Sequence, residues 1–212
     1  RPATPAELTA MREQVDRGMR EGAFGLSSGL TYVPGMFAST AELVALCEVV
    51  AAHGGYYSPH QRSYGAGALD AYAEMVEVAR RSGCALHLTH ATMNFGVNRG
   101  RAGELIELID RGLADGVDIT LDTYPYLPGS TTLAALLPSW SATGGPEATL
   151  ARLRDPELRA HRARARRGGH GRLPRRSGGV GDDRDRRRAG CGPLRPGRVH
   201  RRSARRRGGP CA

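Results

Sequence analysis

The sequence has 212 residues, 40% of them hydrophobic, and a formal net charge of +10. This length suffices for one domain with a hydrophobic core, and no apolar run approaches the ~20 residues of a membrane-spanning helix, which excludes a membrane span within the sequence. Residues 1–158 contain 12 Arg against 18 Asp and Glu, a net charge of −6, whereas residues 159–212 contain 19 Arg against 3 Asp, a net charge of +16. The first 158 residues are therefore an ordinary acidic domain, and all the basicity lies in the tail.

Cysteine usage gives an indication of the cellular compartment. The cysteines have no CxxC spacing, and the first two fall on a predicted helix and beside a predicted strand, where a small buried thiol is common. We therefore expect reduced thiols and a cytoplasmic protein. The cysteines are Cys47, Cys84, Cys191 and Cys211.

The N-terminal residues predict a helix, a buried strand and a long loop. Thr4–Glu7 is a capping box with proline at the first helical position, and apolar residues then recur on one helical face as far as Glu21. Residues 23–26 belong to a small, apolar run that is typical of a buried strand. The Gly-, Ser- and Pro-rich stretch that follows is too long for a simple connector, and long loops after strands usually line a site.

The chain continues to alternate predicted helices and strands as far as residue 158. This order is typical of a parallel sheet with helical crossovers. A (β/α)8 barrel is favoured over an open doubly wound sheet, because no GxGxxG follows the first strand and the long polar loops all follow strands. We predict an α/β fold, a partial (β/α)8 TIM-type barrel of about four strand–helix units. Helices are predicted from Ser39, over 66–82, over 102–115 and over 147–153, and strands near 55–58, 85–89 and 118–122.

Two histidines stand at the carboxyl ends of neighbouring predicted strands. His60 follows the strand near 55–58, and His90 follows the strand near 85–89. Parallel strands joined by a right-handed crossover lie side by side, so the two side chains converge on one face of the sheet. Imidazole is a common metal ligand, and α/β barrels carry their active sites at the C-terminal ends of strands. The pattern indicates a metal hydrolase site, and two unrelated histidines are the alternative.

Five stretches of the sequence resemble one family of enzymes, the N-acyl-D-amino-acid deacylases, or D-aminoacylases, of the amidohydrolase superfamily. They follow the order and spacing of that family, including the separation of 30 residues between the two histidines. The stretches are GAFGLSSGLTYVPGMFASTAEL (22–43), GGYYSPHQR (54–62), LHLTHATMNFGVNRG (86–100), DITLDTYPYLPGSTTLAALLPSW (118–140) and GGPEATLARLRDPELRAHR (144–162).

The resemblance implies a zinc-dependent hydrolase that cleaves N-acyl-D-amino acids to a D-amino acid and a carboxylate. In this family zinc polarises the scissile amide and activates a water molecule, and an aspartate after the eighth strand acts as the general base. His60 and His90 correspond to metal ligands after the fifth and sixth strands. The first-strand HxH pair, a metal-binding cysteine and the general base have no counterpart here. No catalytic residue is therefore assigned, and the chain is expected to be an inactive fragment.

Four residues near the histidines are further candidates for the site. Thr92 stands where many family members have a lysine that meets the substrate carboxylate, so its hydroxyl is the group left for substrate binding. Arg62 is either a substrate contact or half of a structural ion pair. Tyr124 either contacts the substrate or caps the core, and the second role is favoured. Asp122 is expected to orient a neighbouring group rather than to act as the base.

His87 has a different expected role from the histidines at the strand ends. It lies within a predicted strand, three residues before His90, and is expected to face away from it as a hydrogen-bonded core histidine.

The C-terminal segment differs from the rest of the chain in composition. Residues 159–212 contain no Ile, Met, Phe, Tyr or Trp, so we divide the chain into a partial barrel, 1–160, and an Arg-, Gly- and Pro-rich tail, 161–212, that is expected to be disordered. The tail is either the product of a shifted reading frame in a GC-rich coding sequence, which is favoured, or a basic arm that neutralises nucleic-acid phosphates.

The expected partner is a small N-acyl-D-amino acid, with no membrane and no nucleic acid. Two alternative functions stay open: a non-catalytic protein with a nucleic-acid-binding tail, and an amidohydrolase that acts on another amide.

Overall fold

The computed structural model describes residues 1–126, 128–137 and 139–158, and the predictions for residues 161–212 lie outside this part of the chain. Helices and strands alternate along it, as predicted. The helices are α1 (Pro5–Arg20), α2 (Thr40–Ala52), α3 (Ala68–Ser82), α4 (Ala102–Ala114) and α5 (Gly145–Arg154). The strands are β1 (Gly25–Gly29), β2 (Tyr56–His60), β3 (Ala85–Leu88) and β4 (Ile119–Leu121).

The ends of the helices carry the signals that the sequence predicts. At the start of α1 the Thr4 hydroxyl accepts a hydrogen bond from the Glu7 backbone N–H, and the Glu7 carboxylate accepts one from the Thr4 N–H. The Ser39 hydroxyl caps α2 in the same way. Helix α3 ends at Gly83, whose φ of 68° is readily adopted by glycine. Among the described residues, no helix is long and apolar enough to cross a lipid bilayer.

The four strands form one parallel sheet in the order β1-β2-β3-β4. The predicted parallel arrangement is therefore confirmed. Strand β1 begins at Gly25, two residues later than predicted, because Gly22 and Ala23 still donate hydrogen bonds to the carbonyls of the last turn of α1. Strand β2 extends as far as His60, so this histidine is the last residue of the strand rather than part of the following loop.

The hydrophobic core lies between the sheet and the helices α2, α3 and α4. Alternate residues of each strand face it, since Tyr57, Leu86 and Leu88 are almost completely buried. Burial of such apolar side chains stabilises the fold by about 1.5–3 kcal/mol each. The helices contribute a continuous apolar layer that includes Leu43, Val44, Cys47, Val50, Tyr72, Met75, Val78, Leu105 and Ile109.

The other face of the sheet is open and carries the polar side chains that alternate with the core. Tyr56 on this face is 44% exposed, whereas its neighbour Tyr57 is fully buried. In a (β/α)8 barrel this face lines the interior. His87 also lies here, because it alternates with the buried Leu86 and Leu88. The expectation that His87 belongs to the core was therefore wrong, although the histidine is hydrogen-bonded, to Thr120 Oγ1 at 2.8 Å and Asp122 Oδ2 at 3.2 Å.

Candidate metal site

His60 and His90 meet at the C-terminal edge of the sheet. His60 ends β2, and His90 lies two residues beyond the end of β3. Nδ1 of His60 is 2.9 Å from Nε2 of His90, and the two ring planes are nearly perpendicular, at 87°. The predicted approach of the two histidines is confirmed. Their role as metal ligands stays a prediction.

Asp122 holds His90 in an uncommon backbone conformation. The φ of His90 is +41°, in the left-handed region that few residues other than glycine adopt. The Asp122 carboxylate accepts a hydrogen bond from the His90 backbone N–H, and the Asp122 carbonyl accepts one from Ala91 at 2.8 Å. The hydrogen bond from His90 lowers the pKa of the Asp122 carboxyl below its usual range, and a bond from His87 acts in the same direction. These bonds tie Asp122 to the segment that carries His90, and the role of Asp122 in orienting a metal ligand stays a prediction.

Burial keeps the His60 ring neutral. This ring is half-buried, and desolvation together with the proximity of His90 lowers the pKa of His60 to about 4. The imidazole is therefore neutral at neutral pH, which is the form that can coordinate a metal ion.

Four tyrosines, which we call the tyrosine rim, surround the two histidines. The ring centroids of Tyr32 and Tyr64 lie 5.0 and 4.9 Å from that of His60. Tyr64 and Tyr124 lie 5.7 and 5.6 Å from His90, and Tyr126 stacks on Tyr124. Tyr124 is 39% exposed, so it borders the open site. It does not cap the core, although that role was the favoured expectation. A role for Tyr124 in substrate binding stays a prediction.

The histidine pair fits part of a zinc coordination sphere. Two nitrogens bound to one tetrahedral zinc at 2.0–2.1 Å lie about 3.3 Å apart, so the observed separation needs only a small adjustment. Within residues 1–126, 128–137 and 139–158, no group of three or more His, Cys, Asp or Glu side chains could hold a metal ion. Zinc sites ordinarily have three or four protein ligands, so a zinc ion held by this pair would need further ligands.

Arg62 forms the structural ion pair that was one of its two predicted roles. Its Nε and Nη2 atoms each lie 2.9 Å from the carboxylate of Glu74 on α3. Nη1 and Nη2 also donate to the backbone carbonyls of Met36 and Ala38, at 3.0 and 2.9 Å. The guanidinium therefore fixes the loop after β1 against α3, and these contacts do not support a role in substrate binding.

The backbone N–H and C=O of Thr92 are both hydrogen-bonded to one tyrosine side chain. Its N–H donates to the Tyr72 hydroxyl at 2.8 Å, and the same hydroxyl donates to its carbonyl at 3.1 Å. The Thr92 hydroxyl donates to the backbone carbonyl of His90 at 3.2 Å. The side chain therefore adjoins the histidine pair, and its use as a substrate contact stays a prediction.

Two residues of the site, Tyr64 and Asn98, were missed from the sequence. The Tyr64 hydroxyl lies 3.4 Å from Nδ1 of His90. The Asn98 amide is buried and donates to the carbonyls of Tyr64, Gly65 and Asn94 at 2.8–3.1 Å. Both residues lie in polar loops, where neither periodicity nor spacing distinguishes a site residue from a solvated one.

A cavity of about 480 Å³ adjoins the histidine pair through Tyr32. It lies between the loop after β1 and the segment 132–150, and its walls are mostly apolar. Thr31 is one of the lining residues, and its Oγ1 is buried without a hydrogen-bond partner. A volume of this size is suitable for a small organic molecule.

Comparison with known proteins identifies relatives of one kind. The chain is 41% identical over 127 residues to an N-acyl-D-glutamate deacylase and 36% identical over 133 residues to a D-aminoacylase, both from Alcaligenes xylosoxydans xylosoxydans. These matches cover 60% and 63% of the chain but only 26% and 27% of the relatives, so the chain spans about a quarter of their length. No protein-family model matches the sequence.

Solved structures give the same result for the fold. A D-aminoacylase described as defining a novel subset of amidohydrolases is 34% identical, with a TM-score of 0.58 over 61% of this chain and 27% of that one. An N-acyl-D-glutamate deacylase from Bordetella bronchiseptica, in complex with zinc and a phosphonate inhibitor, is 35% identical with the same TM-score over 59% of this chain and 27% of that one. In sequence and in its partial (β/α)8 barrel, the chain is thus a homologue of part of the N-acyl-D-amino-acid deacylases of the amidohydrolase superfamily.

Proposed function

We propose that residues 1–160 belong to a zinc-dependent hydrolase that cleaves the amide bond of N-acyl-D-amino acids, releasing a D-amino acid and a carboxylate. The observation that carries this proposal is the 2.9 Å approach of His60 Nδ1 and His90 Nε2 at the C-terminal edge of a parallel sheet. The names of the relatives support the substrate class, and the zinc in the Bordetella bronchiseptica structure supports the choice of metal.

Among the described residues, those proposed for the site would bind and orient, and they do not complete a catalytic site. His60 and His90 would hold the metal through Nδ1 and Nε2. When bound, zinc would supply Lewis acidity and would activate water for attack at neutral pH. Asp122 keeps the His90 backbone in place through its hydrogen bond to the N–H. A general base and the remaining metal ligands have to come from residues outside the matched part.

We infer that the substrate binds between the apolar cavity and the tyrosine rim. The cavity beside Tyr32 would take an apolar acyl chain or amino-acid side chain, because its lining is mostly apolar. The ring of Tyr124 lies beside that of His90, and the Thr92 hydroxyl donates to the His90 carbonyl. The Tyr124 hydroxyl would donate to the substrate carboxylate, and the Thr92 hydroxyl would do so by exchanging its present acceptor. Both groups are neutral, so they would bind a carboxylate through hydrogen bonds and not through an ion pair.

A chimeric enzyme tests the proposed function. Residues 22–140 of this chain would replace the homologous segment of the Alcaligenes xylosoxydans xylosoxydans D-aminoacylase, and hydrolysis of N-acetyl-D- and N-acetyl-L-amino acids would be measured. We expect zinc-dependent hydrolysis of the D-enantiomers that is lost in His60→Ala and His90→Ala.

The exposed Glu107→Ala variant is the matched control and should retain activity, because its side chain is 73% exposed on α4. A folded chimera that hydrolyses the substrate equally well without His60 or His90 would contradict the proposal.

A further inference from the structure

We infer that Tyr64 is a positioning residue that fixes the tautomer of His90, so that Nε2 is left free to bind a metal. The inference rests on the proposed metal site, and it adds to that site a residue that the sequence pattern does not identify.

The two ring nitrogens of His90 have different neighbours. Nε2 faces Nδ1 of His60 at 2.9 Å. Nδ1 faces the hydroxyl of Tyr64 at 3.4 Å. The tautomer of a neutral histidine is set by the hydrogen bond that its non-ligating nitrogen makes. Tyr64 therefore occupies the position from which the tautomer of His90 is controlled.

Only one of the two neutral tautomers is compatible with metal binding through Nε2. If Nε2 carries the proton, its lone pair is lost and His90 can only donate to His60. If Nδ1 carries the proton, it donates to the Tyr64 oxygen and the Nε2 lone pair points towards His60. A phenolic hydroxyl accepts as well as donates, so Tyr64 can stabilise this second arrangement.

The loop that carries Tyr64 is anchored to the loop that follows His90. The side-chain amide of Asn98, which is 1% exposed, donates to the carbonyl of Tyr64 at 3.1 Å and to that of Gly65 at 2.9 Å. The same amide donates to the carbonyl of Asn94 at 2.8 Å. Because the Asn98 side chain is buried, these bonds fix the Tyr64 backbone relative to the segment that leaves His90. The contact between Tyr64 and His90 is thus built into the fold.

The tautomer can be measured directly on the 212-residue chain without metal. The chain would be labelled with ¹⁵N-histidine, and long-range ¹H–¹⁵N spectra would be recorded at mildly alkaline pH, where an ordinary imidazole is neutral. We expect the His90 signals of the unaltered chain to show a protonated Nδ1 and an unprotonated Nε2. A protonated Nε2 in the unaltered chain would overturn the inference without any variant.

Tyr64→Phe removes the hydroxyl and keeps the ring that packs on both histidines. We expect its His90 signals to shift towards a mixture of the two tautomers, and its zinc affinity to fall about tenfold. Tyr32→Phe is the matched control, because Tyr32 also packs on His60 but its hydroxyl bonds Thr131 instead of His90. The control should leave the His90 tautomer unchanged.

The two readouts separate this inference from the proposed function. If Tyr64→Phe and Tyr32→Phe both give the same His90 tautomer as the unaltered chain, Tyr64 has no positioning role. If zinc still binds through the histidine pair in that case, the metal site stands. If the tautomer depends on Tyr64 but zinc does not bind, the positioning role stands and the metal site does not.

Discussion

The carboxylate of Asp122 accepts a hydrogen bond from the backbone N–H of His90, and the two residues follow the neighbouring strands β4 and β3. This bond joins the C-terminal ends of two strands at the point where the chain turns into the left-handed region at His90. A left-handed residue other than glycine costs about 1–2 kcal/mol, which such a hydrogen bond offsets. The position of one candidate metal ligand therefore depends on a carboxylate 32 residues away in the sequence.

Removing this carboxylate should loosen His90. We expect Asp122→Ala to weaken zinc binding by the chain about tenfold, because the backbone N–H of His90 loses its acceptor. Asp122→Asn retains one oxygen acceptor and should have a smaller effect. Zinc affinities would be measured by calorimetry, with the exposed Asp115→Ala as the control. Equal affinities for the Asp122→Ala variant and the control would show that the bond does not position His90.

The ion pair of Arg62 with Glu74 should contribute to stability and should be sensitive to acid. Burial raises the pKa of the Glu74 carboxyl, but hydrogen bonds from Arg62 and Thr40 lower it by more, so the net pKa lies below the usual value. The stabilisation is therefore present above the unfolded-state pKa of about 4.3 and is lost as the pH falls through the lower folded-state value.

Glu74→Gln tests this linkage by urea denaturation. We expect a loss of about 1–3 kcal/mol in the free energy of unfolding at neutral pH, and a smaller difference from the unaltered chain in acid. Glu77→Gln is the control, since Glu77 pairs with Arg80 on the exposed side of α3 and should change stability by less than about 1 kcal/mol. If the difference in the free energy of unfolding between Glu74→Gln and the unaltered chain grew as the pH fell, this would contradict a lowered pKa of Glu74 in the folded state.

Gly25 is required where β1 and β2 lie closest. A Cβ atom at this position would overlap the backbone carbonyl of Tyr56, which cannot move without breaking the parallel pairing. We expect Gly25→Ala to lower the free energy of unfolding by about 1–3 kcal/mol. Gly18→Ala on α1 meets no atom within 4 Å and should raise it by about 0.5–1 kcal/mol. Thermal melts of the two variants would show opposite shifts.

The order of helices and strands was predictable because the ends of these elements are marked by local signals in the sequence. The capping box at Thr4 and the glycine after α3 mark helix ends through backbone hydrogen bonds within a few residues. The convergence of His60 and His90 also followed from the sequence, because parallel strands with helical crossovers bring their C-terminal ends together whatever the details of packing. These predictions needed no knowledge of side-chain partners.

The choice of partner by each polar side chain was not predictable in the same way. Arg62 could reach either a substrate or Glu74, and only the packing of α3 against the sheet decides between them. His87 faces the open side of the sheet because Leu86 and Leu88, on either side of it in β3, face the core. Tyr124 lies beyond the end of β4, where periodicity does not define the direction of a side chain. Tyr64 and Asn98 act through loops whose conformation arises from contacts distant in the sequence.

The 212-residue chain should not hydrolyse N-acyl-D-amino acids by itself. Two imidazoles hold zinc weakly, and the described part of the chain has no group of three or more His, Cys, Asp or Glu side chains that could hold a metal ion. We also assign no general base among its residues. We expect no release of amine from a panel of N-acetyl-D-amino acids with excess zinc. Zinc-dependent turnover that disappears in His60→Ala would show that a residue of this chain, with Asp122 as the first candidate, can act as the base.

The most direct test of the metal site is a zinc titration of the chain and of its histidine variants by calorimetry. We expect weak, saturable binding of one zinc ion that is lost in both His60→Ala and His90→Ala. His53→Ala should leave it unchanged, because His53 pairs with Asp16 between α1 and the end of α2. Binding that persists with the same stoichiometry and affinity in both His60→Ala and His90→Ala would contradict the assignment of these histidines as a shared metal site.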